Sequence, residues 1–356
     1  MAYTNIDRSE LHFQTKIYTA NGSANRLITL DGSEDMQPDW VWLKNRNQAV
    51  THDLYDSVRG ATKYISSDQT TAEATNPDGL IAFNTNGFTV DTSWGNISSG
   101  NGYIAWCWKA SGSTASNTNG SITSTVSANT TSGFSIVSYT GTGSDGATVG
   151  HGLGATPACI IIKNRTDSSS AFWCVYHQDS FVSQSDPGVL YLNSTVARSA
   201  DTNVFGLSTV TINSNVFSLG NYNGSNGSSD NMIAYCFAEK KGFSKFGSYT
   251  GNGSSDGPFI YTGFKPAWVM VREINNVNSW RILDNKRDTV NVMTKVLYAN
   301  LSLTEGSSGH NTDFLSNGFK IRDSDTSMNR SGGDFVYMVF AENPFVTSTG
   351  IPVLAR

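Results

Sequence analysis

The stretch IAYCFAE at residues 233–239 decides how the chain is read. It has a near-copy, IAWCWKA, at 104–110, and a more divergent one, VYMVFAE, at 336–342. Side chains along an extended segment alternate between two faces. Ile233, Tyr235 and Phe237 therefore form a bulky face, and Ala234, Cys236 and Ala238 a small one. Ile104, Trp106 and Trp108 repeat the bulky face against Ala105 and Cys107, and Val336, Met338 and Phe340 repeat it against Tyr337, Val339 and Ala341. A run this short, apolar on both faces and bounded by Gly-rich turns, predicts a central strand rather than a helix. The bulky face is expected to fill a core between two sheets. The small face is expected to admit a loop of its own or the neighbouring unit.

Four further signals precede each copy in a fixed order. Opening strands begin at Phe13 (FQTKIYTANG), Phe134 (FSIVSYTGTG) and Phe243 (FSKFGSYTGNG). Proline-led strands follow as PDWVWLKNR, PACIIIKNR and PAWVMVREI, with Lys44, Lys163 and Arg272 at one constant distance from the proline. Next come HDLYD, WCVYH and WRILD, and then Phe88, Phe217 and Phe319 in NGFTV, NVFSL and NGFKI. So long an ordered set marks a tandem triplication, with units at 12–110, 133–239 and 243–342. Residues 1–11 read as an N-terminal arm and 343–356 as a C-terminal tail. Residues 111–132 read as a Ser/Thr/Asn-rich linker, in which Ile122 and Val126 offer a place along a sheet edge. The strand-end cations are expected to reach solvent. Units of about 100 residues with short strands and Gly-rich turns predict an all-β chain. The specific expectation is three tandem antiparallel β-sandwich repeats of the jelly-roll, concanavalin-like kind.

Composition narrows the function. Only 15% of residues are charged, and the net charge is −5 with a pI near 5.5. That balance supplies no basic field for nucleic acid. No run reaches the ~18 apolar residues of a membrane span, and MAYTNIDRSE has no signal-peptide core, so the expectation is a soluble chain made in a cytoplasm. Cys107, Cys159, Cys174 and Cys236 sit in apolar runs and read as small buried hydrophobes. Cys159 and Cys174 fall on adjacent strands, where they could face each other, although a reducing compartment disfavours a disulfide.

No cofactor, metal or catalytic residue is implied, and the chain is not read as an enzyme. GTGSDG satisfies GxGxxG, but no helix follows it as a dinucleotide site requires. DSDTSMNRSGGD at 323–334 spaces its oxygens like a calcium loop, yet Met328 stands where the glycine belongs and the closing glutamate is missing. The five histidines are scattered, without a nucleophile beside them.

Framework signals repeat, but the loops before each copy of the opening word differ: TVDTSWGNISSGNG, SLGNYNGSNGSSDN and KIRDSDTSMNRSGGD. Ligand contacts commonly lie on variable loops carried by a rigid scaffold. The candidate ligand-binding residues are Trp94 and Asn96, Tyr222 and Asn223, and Asp323 and Asp325. Trp94 and Tyr222 have the rings for stacking on a sugar.

PDWVWLKNR, HDLYDSVRG, NGFTV and YIAWCWKA resemble the opening module of repeat proteins encoded by marine tailed phages, cyanophages included. GFSIVSYTGTG, TVGHGLGATPACIIIKNR and MIAYCFAEKKGFSKFGSYTGNG resemble the modules that follow. The likeness spans about residues 10 to 345, and the third unit departs most, with Arg272-Glu273 in place of Lys-Asn and Val339 in place of cysteine. Such proteins are described as virion structural or tail-fibre-like, and no site residue is attached to the motifs. The resemblance implies a virion protein assembled in the host cytoplasm, with other tail or capsid proteins and a host surface glycan or protein as partners. A tail-fibre or receptor-binding component is the leading expectation. The alternatives are a capsid decoration (cement or head-fibre) protein or tail-assembly adaptor, and thirdly a glycan-degrading tailspike. Fibres are often homotrimers, yet three units in one chain could mimic a trimer by pseudo-threefold symmetry.

Overall fold

The computed structural model describes residues 4–343, apart from residues 94, 97, 98, 169, 170, 208 and 308. The chain is almost wholly β, arranged in several antiparallel sheets. Among the described residues the only helical turns are Ser9–Leu11, Asn223–Asn226 and Thr326–Asn329.

Three main sheets share one strand order. In the first, Phe13–Thr19 pairs with Gly102–Trp108, which pairs with Trp40–Asn45 and then Asp53–Asp56. The second runs Phe134–Thr140, Asn231–Phe237, Cys159–Asn164, Cys174–His177, and the third Ser244–Thr250, Asp334–Asn343, Lys265–Glu273, Arg281–Asp284. The register agrees as well, since Trp40 faces Trp108, Cys159 faces Phe237 and Trp268 faces Phe340. Each copy of the opening word is therefore the strand between its unit's opening strand and proline-led strand, as its two apolar faces demand.

Its two faces enter different cores. Ile104, Trp106 and Trp108, Ile233, Tyr235 and Phe237, and Val336, Met338 and Phe340 all join one cluster shared by the three main sheets. Aromatic contacts cross it between units: Trp40 stacks on Tyr235 with ring centroids 4.3 Å apart, Phe13 stacks on Phe340 at 5.2 Å, and Trp108 meets Trp268 edge-on at 5.6 Å. The small faces lie in three separate cores, each within one unit, where Ala105 and Cys107 meet Phe88, Ala234 and Cys236 meet Phe217, and Val339 and Ala341 meet Phe319. Those phenylalanines come from smaller sheets built on Gly87–Val90, Val216–Leu219 and Gly318–Ile321. The expected use of the faces is thus corrected. Bulky side chains bind the units to one another, and small ones make room for the unit's own phenylalanine.

Two further readings become specific. Residues Ala115–Asn117 and Ser124–Asn129 are strands added to the edge of the second sheet, with Val126 opposite Val137 and both Ile122 and Val126 buried in that unit's core. Part of the polar stretch thus takes the place along a sheet edge that Ile122 and Val126 offered. Cys159 and Cys174 do lie on neighbouring strands, but the register sets Cys159 against His177 and Cys174 against Ile162. All four cysteines are free and buried.

Truncating a large buried aromatic costs about 3–5 kcal/mol. Trp40→Ala should lose that much by urea titration, and because the core is shared, unfolding should remain a single transition by tryptophan fluorescence and by circular dichroism. Separate transitions for separate units would contradict a common core.

Candidate functional site

The strand-end cations do not reach solvent. Lys44, Lys163 and Arg272 are at most 1% exposed, and each crosses a junction to carbonyls of another unit. Lys44 Nζ donates to Ser302 O at 3.0 Å, Lys163 Nζ to Thr70 O at 2.8 Å, and Arg272 Nη1 to Ser194 O at 2.5 Å. Bonds within the unit add Val50 O and Gln48 O for Lys44 and Ala171 O for Lys163. Burial draws Lys44 and Lys163 down to about 8 and Arg272 down to about 10, leaving all three charged at neutral pH. A buried cation is tolerable only when its donors are satisfied.

A second set of contacts runs in the same sense. Trp173 Nε1 donates to Ser66 O at 3.0 Å, Trp280 Nε1 to Tyr191 O at 2.9 Å, and His52 Nε2 to Leu301 O at 3.2 Å. Main-chain bonds agree: Glu73 N to Arg165 O, Arg198 N to Ile274 O and Glu305 N to Arg46 O. The three junctions therefore close a ring, first unit to second, second to third, third to first.

Two junctions are further sealed by charge. Buried Asp56 accepts from Arg59 Nε and from Tyr235 Oη at 2.7 Å, while Glu73 holds Arg165 through two bonds of 2.8 and 2.9 Å. Asp284 repeats this with Arg287 Nε at 2.6 Å and Trp106 Nε1 at 3.2 Å, and Glu305 holds Arg46 at 2.9 and 2.8 Å. At the remaining junction Met338 occupies the place of Tyr235 and Trp106 and has no proton to donate. His177 stands there instead of aspartate, and its Nε2 donates to Tyr337 O at 3.0 Å.

The loops before the opening word contain a fixed bolt. Asn96 Oδ1 accepts from Asn21 N at 3.0 Å and its Nδ2 donates to Ser23 O at 2.8 Å. Asn226 makes the same pair with Thr142 N and Ser144 O, and Asn329 with Asn252 N and Ser254 O. One residue earlier, Gly95 O, Ser225 O and Met328 O accept the hydroxyls of Tyr18, Tyr139 and Tyr249. All three asparagines are fully buried. Asn96, singled out as a ligand contact, is framework with no surface to offer. The equivalence is hidden in the sequence because the first loop carries one more residue between the asparagine and the strand.

The other candidates fall as follows. Trp94 lies outside the described residues. Tyr222 is half-buried, its hydroxyl near Phe172 N at 3.4 Å and pushed up to about 12 by burial. Asn223 is exposed, with Nδ2 on the Asp167 carboxylate and its carbonyl taking Asn164 Nδ2 at 2.8 Å. Asp323 accepts from Asp325 N at 2.9 Å, and Asp325 caps the turn Thr326–Asn329 by accepting from Ser327 N at 2.8 Å. Burial raises Asp325, but the Ser327 bonds together with nearby His310 and Arg281 hold the carboxyl below its ordinary range. The five described candidates sit on the loops of three different units. Among the described residues no group of three His, Cys, Asp or Glu could hold a metal ion.

Beside these buried charges, the thiols and His52 are held in uncharged forms. Burial raises all four thiols far above the usual range. His52 Nδ1 accepts from Trp42 Nε1 at 2.8 Å while Nε2 donates to Leu301 O, so the ring is neutral, and burial lowers it to about 3. Asp53 is buried beside Asp68, and burial raises it to about 8.

Sequence reasoning missed the junction cations. Their signal is a cation recurring at one place in a strand that is apolar on both faces, since such a position has no route to water.

Two outcomes follow for the junctions. Glu73→Ala strands Arg165, and loss of one partner of a largely enclosed pair should cost about 3 kcal/mol in urea unfolding, while Glu73→Gln keeps the shape and costs less. For His52 the unfolded ring binds a proton below about 6.5 and the folded ring does not, so stability is complete above that pH and falls as pH drops toward 3. Asp53 acts in the opposite sense between about 4 and 8, so the diagnostic is a comparison. The stability gap between wild type and His52→Gln should narrow from pH 7 to pH 4, and an unchanged gap would remove His52 as a proton-linked group.

A family model described as a domain of unknown function (DUF7483) matches residues 8–344. No curated protein and no solved structure matches the chain.

Proposed function

The chain belongs to the DUF7483 family, and we propose that it is a virion surface protein of a tailed bacteriophage, a tail-fibre or receptor-binding component that presents loops to the host envelope. The observation that carries this reading is the closed ring: three units fastened by buried cations around one aromatic core form one body that carries loops differing from unit to unit. A body of this kind suits binding and assembly, where chemistry would need convergent reactive groups. The likeness of its motifs to phage repeat modules points the same way.

Each unit is, in this reading, a two-layer jelly roll of the concanavalin-like kind. Support comes from the recurring main-sheet order, with the unit's first and last strands adjacent, and from the smaller antiparallel sheet across its inner core.

A capsid decoration role is the second reading, favoured by the pseudo-threefold ring. A single chain with near-threefold shape can dock on a threefold-symmetric base without forming a trimer. Purified protein should adsorb to host cells at micromolar concentration and compete with infection. Failure to adsorb, together with dozens to hundreds of copies per virion by gel densitometry, would replace the receptor reading with the decoration one.

A further inference from the structure

The three junctions are built alike but sealed unequally. In two of them Arg59 and Arg287 are buried between units, and the pairs Glu73–Arg165 and Glu305–Arg46 close the outside. Equivalent positions at the junction of the second and third units hold Ser180, Arg198 and Ile274. The equivalence is fixed by matching bonds: Arg198 N donates to Ile274 O as Glu73 N does to Arg165 O, and Asp179 N donates to His177 Nδ1 as Val58 N does to Asp56 Oδ1. Serine in place of arginine removes a long side chain. Arginine facing isoleucine removes the ion pair, and Arg198 turns instead to Asp186 of its own unit, with 2.8 Å to both oxygens.

What remains is an open cavity of about 380 Å³, lined by Asp179, Ser180, Arg198, Ile274, Asn275 and Asp334 among others. Its volume falls within the range of about 300–1,000 Å³ usual for small-ligand sites. The Asp179 carboxylate holds the Ser248 hydroxyl at 2.8 Å, and Asp334 holds the Thr250 hydroxyl at 3.1 Å and the Asn275 amide at 2.9 Å. Ile274 and Val182 add apolar surface to the lining. Two carboxylates face the cavity, and its one arginine is matched by Asp186, so a phosphate or carboxylate ligand would meet repulsion. A neutral polyhydroxyl ligand meets acceptors for its O–H groups at Asp179 and Asp334, donors for its oxygens at Asn275 and Arg198, and apolar side chains for its C–H face.

We infer that this unsealed junction is a binding site for a neutral saccharide; its biological sense rests on the receptor-binding reading above. The full chain is probed on an array of neutral glucan, galactan and mannan oligosaccharides. Two variants accompany it. One restores the seal with His177→Asp, Ser180→Arg, Arg198→Glu and Ile274→Arg, and the other, Asn275→Ala, truncates an exposed side chain without disturbing the packing. Wild type should be retained by at least one neutral oligosaccharide. Both variants should bind it at least about tenfold more weakly, with the unfolding midpoint of Asn275→Ala unchanged. Retention of no neutral saccharide, or undiminished binding by a folded Asn275→Ala, overturns the inference. Adsorption to host cells separates it from the broader reading. Adsorption that neither variant nor free saccharide reduces refutes the junction as the site and leaves the receptor role standing. Array binding without adsorption keeps the site and removes that role.

Discussion

A charged side chain enclosed between units, at the end of the proline-led strand, is the constraint on which the rest of the ring depends. Lys44, Lys163 and Arg272 are cut off from water, and the desolvation of such a charge is large unless every donor finds an acceptor. Main-chain carbonyls, those of the neighbouring unit among them, take most of these donors, and Arg272 Nε alone of the cations' nitrogens is left without a partner. A unit standing alone would carry this cation half-satisfied and the bulky face of its central strand bare to solvent. The triplication is therefore a single folding body: neither the charge nor the aromatic face is satisfied within one unit.

The same logic explains which residues vary between copies. Where the central strand offers a donor, as Tyr235 and Trp106 do, a buried aspartate faces it. Where it offers Met338, a carboxylate would be left without that partner, and a neutral histidine bonded to a main-chain carbonyl stands there. His52 differs chemically from Trp173 and Trp280, yet each supplies an N–H to a carbonyl across a junction. The divergence among units follows the hydrogen-bond inventory of the partner rather than drift alone.

Much of the architecture was legible in the residues. The alternating faces of IAYCFAE and its copies identified a central strand, and the ordered signals identified three like units. The destination of each face was not legible, because periodicity tells which side chains share a side and not what lies beyond it. Lys44 was misread for a related reason: a cation at a strand end ordinarily reaches water, and only the neighbouring unit denies it that exit. Asn96 was taken for loop variability because its equivalents Asn226 and Asn329 stand one residue nearer their strands. The segment 111–132 read as linker on composition, while two side chains, Ile122 and Val126, fixed it to a sheet.

Covalent linkage of the three units has a consequence for valency. In a homotrimer every substitution appears at all three interfaces, so a feature of one is a feature of all. Here the junctions are encoded by different residues, and one can open while two stay shut. Anything engaged at a single junction is engaged once per chain. Strong attachment to a surface would then come from the number of chains displayed together, each contributing one weak contact to a high effective concentration.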